Sequence, residues 1–370
     1  MLKKKHGLWV LIVIMMVSLL FAGCSAPADT EEPGDDPGEG EATEESLFDQ
    51  TYEVRLASEE VEGDPMTHWG KEFAAAMEEW SEGKFNIDVY PYGTIGENRD
   101  INELCQLGVV EFVYSCHGWI NTFVPEASVV GLHYMWPQEK TVECFDYVMK
   151  NGTFMEYLEQ AFRREGMVPL GVALHDWQWI TSNKPINTVD DMKDLVIRVM
   201  GSEMLSASYK AYGSNPTALA YGEIYSGLQT GLIEAQVQPC YAQVSMKFYE
   251  VQDYMTLTYG EPFVGIPCIN AQFYDSLPEE VQDYMKDWWA DALVPLGEWT
   301  AERREKELEE IKDDINLVEL DEEAIDGFRE AAMQSHEDFK NDLGGPLAKE
   351  VYDALVKDIE AAKEALGIEK

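Results

Sequence analysis

The stretch "NPTALAYGEIYSGLQTGLIEAQVQP", residues 215–239, decides the fold. Its ends, "NPTALA" and "IEAQVQP", read as strands, and residues 221–230 between them read as a helix. Strand, helix, strand in so short a span is the unit of an α/β protein with a mostly parallel sheet. Working outward, residues 202–212 read as a helix. Before it, in "DMKDLVIRVMGSEM" (191–204), lies a short apolar strand interrupted by Arg198. Side chains alternate along a strand, so Val196, Arg198 and Met200 share one face, with Ile197 and Val199 on the other. A buried guanidinium needs a partner. That partner is either one of the chain's many acids or a ligand anion.

The same alternation recurs earlier in the chain. "TYEVRLAS" (51–58), "KFNIDVYP" (84–91) and "VVEFVYS" (109–115) read as strands. Met66, Trp69, Phe73, Met77 and Trp80 mark an amphipathic helix after the first, and a helix near 97–107 follows the second. Two helices around 138–165 lead to a further strand, "MVPLGVALH". Two α/β halves are therefore expected, joined near Gly171–Asp176, and "YMTLTYGEPFVGIPCINAQF" (254–273) returns the chain to the first half. From Glu279 the pattern is helical, with Met285, Trp288, Trp289, Ala292, Leu293, Leu296 and Trp299 at helical spacing. These read as core, Pro295 should bend this long helix, and two further helices near 321–341 and 346–366 close the chain.

The 370 residues carry 27 basic and 70 acidic side chains, a net charge of -43. A nucleic-acid binder needs a basic footprint, and none is present. The N-terminus reads as an export signal: Lys3-Lys4-Lys5, an apolar run from Leu8 to Leu20, then Ala22-Gly23 before Cys24. This resembles a bacterial lipobox, in which Cys24 becomes the lipidated N-terminus, so residues 1–24 are expected to be a lipoprotein signal. Residues 25–46 hold nine acids, no base and no large apolar residue, and read as a disordered tether. The remaining cysteines, Cys105, Cys116, Cys144, Cys240 and Cys268, are odd in number and widely spaced. That argues for buried free thiols and against a disulfide framework or a zinc site.

No motif points to catalysis. Ser81-Glu82-Gly83-Lys84 has the spacing of S-x-x-K but sits at a helix end and reads as a cap. The six histidines show no ligand spacing, so no metal or cofactor is expected.

The stretches "YPYGTIGENRDINELCQLGVVEF", "TSNKPINTVDDMKDLVIRV", residues 215–239 and "KFYEVQDYMTLT" resemble the DctP-like solute-binding proteins of tripartite ATP-independent periplasmic (TRAP) transporters. The resemblance runs from about Thr51 to the C-terminus. It implies a two-lobed α/β clamshell with a long bent connecting helix and a helical C-terminus, closing on a small organic acid. The lobes are expected at about 47–173 plus 264–303, and 174–263 plus 304–370. An arginine at the position of Arg198 would bridge the ligand carboxylate, and a planar fork held on a strand suits bidentate pairing. Two positions depart from the family pattern: Gln238 stands before Pro239 where asparagine is common, and Gln178 stands where some acidic-sugar binders have a second arginine. One carboxylate is therefore favoured over two. Tyr221, Trp177, Cys116 and His117 are further candidate wall residues. The implied partners are a small organic acid and the TRAP permease subunits, with membrane contact through the lipid anchor alone. A receptor serving a signalling partner and an exported hydrolase are the competing classes.

Overall fold

A computed structural model describes residues 47–368 apart from Asp49. The expected signal, lipobox cysteine Cys24 and tether lie outside the described residues. The first half begins with β1 (Tyr52–Ser58), α1 (Pro65–Trp80), β2 (Phe85–Tyr90), α2 (Asn98–Gln106) and β3 (Phe112–Cys116). β1 pairs with β2 on one side and β3 on the other, both parallel. α1 opens on Pro65, whose missing N–H costs nothing in a first turn. It ends at Ser81, whose Oγ accepts from Phe85 N at 2.8 Å, so Ser81 is a cap. Next come α3 (His117–Ile120), α4 (Thr141–Asn151), α5 (Phe154–Arg164) and β4 (Met167–Pro169).

β5 (Ala173–Ser182) carries the chain into the second half, formed by β6 (Val196–Val199), α6 (Glu203–Ala211), β7 (Asn215–Ala218), α7 (Ile224–Thr230), β8 (Ala235–Pro239) and α8 (Cys240–Ser245). β6 lies between β7 and β8, parallel to both. The 17-residue β9 (Tyr254–Asn270) then returns along the sheet, pairing antiparallel with β5 and, further on, with β3. The strand order is β2-β1-β3-β9-β5-β8-β6-β7. The expectation of a mostly parallel sheet therefore holds within each half and fails at the join, because two strands crossing in opposite directions must pair antiparallel. The β5–β9 register shifts between Leu174 and Asp176 and again between Trp177 and Trp179. Opposite the second shift, Tyr259 has φ 52°, a strained value for a non-glycine residue.

α9 (Ala271–Asp275) leads to the 33-residue α10 (Glu279–Ile311), which contains Pro295. Trp289 of α10 is buried against Phe73 and Tyr114, with ring centroids 5.3 and 4.8 Å apart. β10 (Asn316–Val318), α11 (Glu322–Asp338) and α12 (Ala348–Leu366) complete the chain. Phe328 of α11 packs on Tyr212, just past α6 in the second half. α12 departs from the expected lobe assignment. Its Val351, Leu355 and Ile359 share a core with Phe154, Leu158 and Phe162 of α5. Its Asp358 accepts from Thr153 N and Phe154 N at 2.6 and 2.8 Å, capping α5. The last helix thus belongs with the first half, because its apolar stripe finds its partner there. All five cysteines of the described residues are free and buried. No described helix is long and apolar enough to cross a membrane.

Candidate ligand-binding site

Arg198 leaves the middle of β6, a strand hydrogen-bonded on both sides, so its base is rigid. The side chain is completely buried, and its Nε donates to Leu219 O at 3.0 Å. Nη1 and Nη2 are buried with no partner among the described residues. Burial lowers the guanidinium to about 10, partly offset by Tyr221, Cys116, Glu59 and Tyr92. It remains a cation at neutral pH, and an unpaired buried cation is costly.

Glu59 and Tyr221, two of those neighbours, also line a narrow cavity with Glu60, Asn98, Trp119, Met200, Gln238, Ala242 and Phe263. The two halves meet around it. Tyr241 OH donates to Glu60 Oε1 at 2.5 Å and Ser245 Oγ to Asp64 Oδ2 at 2.9 Å. On other sides, Gly222 N donates to Tyr92 OH at 3.2 Å and Asn121 Nδ2 to Ser202 Oγ at 2.7 Å. Glu59 Oε2 accepts from Ser115 Oγ and Cys116 N at 2.7 and 2.6 Å, and desolvation raises its pKa. With its amide turned to satisfy both ends, Asn98 donates to Glu59 O and accepts from Trp119 Nε1, each at 3.2 Å. The site therefore offers one guanidinium, two buried acids and an aromatic wall.

Of the residues singled out from sequence, Gln238 and Tyr221 line the cavity and Arg198 stands beside it. Cys116 contributes its backbone N–H to Glu59, and its thiol lies 3.4 Å from the Met200 sulfur. The other three point elsewhere. Gln178 Nε2 donates to Glu261 Oε1 at 2.9 Å, and His117 Nε2 is 3.7 Å from the same oxygen. Glu261 also receives Tyr209 OH at 2.7 Å and faces His133 Nε2 at 3.2 Å. Burial pushes its pKa up, but the imidazoles of His117 and His133 facing it outweigh this and hold it below the ordinary range. Gln178 and His117 thus belong to a buried network behind the cavity wall. Trp177 belongs to a different, open pocket at the join, edge-on to Tyr259 at 5.9 Å and beside Asp176 and Arg304. Among the described residues, no His, Cys, Asp and Glu group is placed to hold a metal.

Sequence reasoning missed Glu59, Glu60, Asn98, Trp119, Met200 and Phe263. The acid pair follows directly on β1 in "LASEEVEGD", and a strand's C-terminal end is where ligands gather in open α/β sheets. Among 70 acids the pair carried no visible mark.

Residues 56–342 match the bacterial extracellular solute-binding protein family 7, DctP. The ectoine-binding periplasmic protein TeaA of Halomonas elongata is 31% identical over 84% of this chain and 90% of its own length. The ectoine/5-hydroxyectoine-binding periplasmic protein UehA of Ruegeria pomeroyi is 29% identical over 80% of this chain and 88% of its own. The crystal structure of the ectoine-binding protein of the Halomonas elongata TeaABC TRAP transporter superposes with a TM-score of 0.77, covering 84% of this chain and all of that one. A TRAP solute-binding protein from Desulfovibrio salexigens with bound orotic acid, 24% identical, shares the fold with a TM-score of 0.79, over 84% of this chain and all of its own. The chain belongs to the DctP family of TRAP solute-binding proteins, with the two-lobed fold of that family, and it is not an enzyme. Such proteins bind small organic solutes and work with TRAP permease subunits.

Proposed function

We propose that this protein is a lipid-anchored extracytoplasmic receptor that captures a small zwitterionic carboxylate and delivers it to a TRAP permease. The observation that carries the ligand class is Arg198: a fully buried guanidinium on a rigid strand, with both terminal nitrogens unpartnered. A carboxylate supplies the matching two-pronged acceptor. The same space presents Glu59 and Glu60, with Trp119, Tyr221 and Phe263 as aromatic wall. A dicarboxylate would set its second charge against the Glu59 carboxylate, whereas a cationic or N–H-rich group would complement it. Ectoine, named for TeaA and UehA, has this chemistry: a carboxylate on a ring bearing a delocalised amidinium. The monocarboxylate expected from Gln178 is retained on different grounds, since Gln178 faces Glu261.

Calorimetric titration with ectoine, 5-hydroxyectoine, succinate and a simple aromatic monocarboxylate tests this. Ectoine should bind tightest, and a preference for succinate would overturn the zwitterion reading. Anchoring rests on the sequence around Cys24. Cys24→Ala should release or mis-process the protein, and unchanged membrane fractionation with the signal attached would instead indicate an uncleaved anchor.

A further inference from the structure

The acids at the end of β1 outnumber the cations that could balance them. Glu59, Glu60 and Asp64 are each at most 5% exposed. Arg303 of α10 takes Asp64 Oδ1 at 2.7 Å and Glu307 Oε1 at 2.6 Å, so it is committed to those two acids. Arg198 senses Glu59, which also holds two donors of its own on Oε2. Among the described residues, no cation pairs with Glu60. Its Oε2 accepts from Met66 N at 2.6 Å, and its Oε1 meets only the phenol of Tyr241, at 2.5 Å. The titratable groups around it are Glu59 beside it, Asp64 at the start of α1, Tyr114 on β3, Tyr221 before α7 and Tyr241 on α8. Arg303 lies 5.4 Å over the Tyr241 ring and engages Asp64, not Glu60. Burial and the neighbouring acids Asp64 and Glu59 favour the protonated carboxyl, against the two donors Met66 N and Tyr241 OH.

Glu60 and Tyr241 belong to opposite halves. Glu60 follows β1, while Tyr241 lies on α8 beyond β8. The contact between them therefore spans the two halves. We infer that solute capture takes up one proton, which settles on the Glu60 carboxyl between the closing halves and lies against Tyr241. This rests on the reading of the protein as a receptor that closes on its solute, and adds a second, protonic ligand to that event.

The direction of linkage follows. With the halves apart, Glu60 meets water and titrates in the ordinary carboxyl range near 4.5. With them together its pKa is raised well above that, chiefly by desolvation and then by Asp64. Protonation therefore favours closure. That contribution is fully present below the open-state value and is lost as pH rises through the closed-state one. Between the two, the apparent Kd should rise by up to about tenfold per pH unit, the slope of a single linked proton.

The test is calorimetric titration of the mature chain with ectoine near pH 6.5, in two buffers of different ionisation enthalpy. Uptake approaching one proton per solute is expected. Glu60→Gln is nearly isosteric, keeps an amide oxygen as acceptor and has no titratable proton, so it imitates the neutral state. It should bind with no proton uptake and a Kd flat across pH 5.5–8. Binding without uptake by the parent, or unchanged uptake by Glu60→Gln, overturns the inference while leaving the receptor reading intact. Absence of ectoine binding overturns the ligand assignment instead. The proton is then read by infrared difference spectroscopy between ectoine-bound and solute-free protein near neutral pH. A protonated-carboxyl band that appears with ectoine in the parent and not in Glu60→Gln supports the inference, and its absence from the parent overturns it.

Discussion

Arg198 and Arg304 are two arginines in opposite situations. Arg304, on α10 beside the β5–β9 join, gives Nη1 to Asp176 Oδ1 at 2.5 Å, and Asp176 takes Trp177 N on the same oxygen. Desolvation raises the Asp176 pKa, and Arg304 opposes that rise. The charge at the join is thus matched from within the chain. Arg198, more deeply buried, is held by a single backbone carbonyl and leaves two terminal nitrogens unmatched. A structural charge is neutralised by its neighbours, whereas a recognition charge is held rigid and left open. The difference lies in partners, not in burial.

The largest expected effect follows from that contrast. Arg198→Ala should weaken solute binding by about a hundredfold or more, since truncating one side of a buried charge pair costs roughly 2–5 kcal/mol. Arg198→Lys should recover little, because ammonium keeps the charge and loses the fork. Calorimetry on both variants checks this, with circular dichroism to establish folding. Affinity within a few-fold of the parent for Arg198→Ala would break the distinction.

Arg304→Ala should do the reverse. It leaves Asp176, 4% exposed, without its guanidinium. Because the arginine is itself partly exposed, the loss should be nearer 1–3 kcal/mol than the full cost of a buried pair. The melting temperature should fall by a few degrees, with solute affinity little changed. A large loss of affinity at unchanged stability would make the join part of the recognition site.

Both arginines stood in the sequence, and only one could be read for its role. Arg198 was legible because a charge within a branched aliphatic strand contradicts its surroundings. Arg304 sits in "AERREKELEE", where charge is the expected outer face of a helix. The elements were also legible, from β1 to the paired α/β halves, because their periodicities are local. Two things were not. The antiparallel join depends on β9 pairing with both β3 and β5 across long sequence separations. The cavity wall is assembled from the residues just past β1 and β6, the end of β8 and the middle of β9, so Glu59 and Phe263 become neighbours only after folding. Gln178 and Trp177 face away from the cavity for a related reason. Membership of a strand near the site does not say which face a side chain takes, and the bulges at Leu174/Asp176 and Trp177/Trp179 reset that alternation.

The join itself should move. Strands that cross with register shifts, together with a helix containing Pro295, make it the place where the halves pivot. Small-angle scattering should give a smaller radius of gyration at saturating ectoine than without it. An unchanged radius at saturation would count against closure, and with it against a proton taken up by closing.

The smallest effect concerns two tryptophans. Trp177 lies in the pocket at the join and Trp119 in the cavity wall. Trp177→Phe keeps an aromatic ring against Tyr259, so affinity should stay within about twofold and stability should fall by roughly 1 kcal/mol or less. Trp119→Phe removes the indole N–H that meets the Asn98 amide along with part of the wall. A lost hydrogen bond of this kind is worth about 0.5–1.5 kcal/mol, or roughly two- to tenfold in Kd. The same conservative change at two tryptophans thus separates wall from join. If Trp177→Phe proved the more damaging to binding, the solute would have to reach the join.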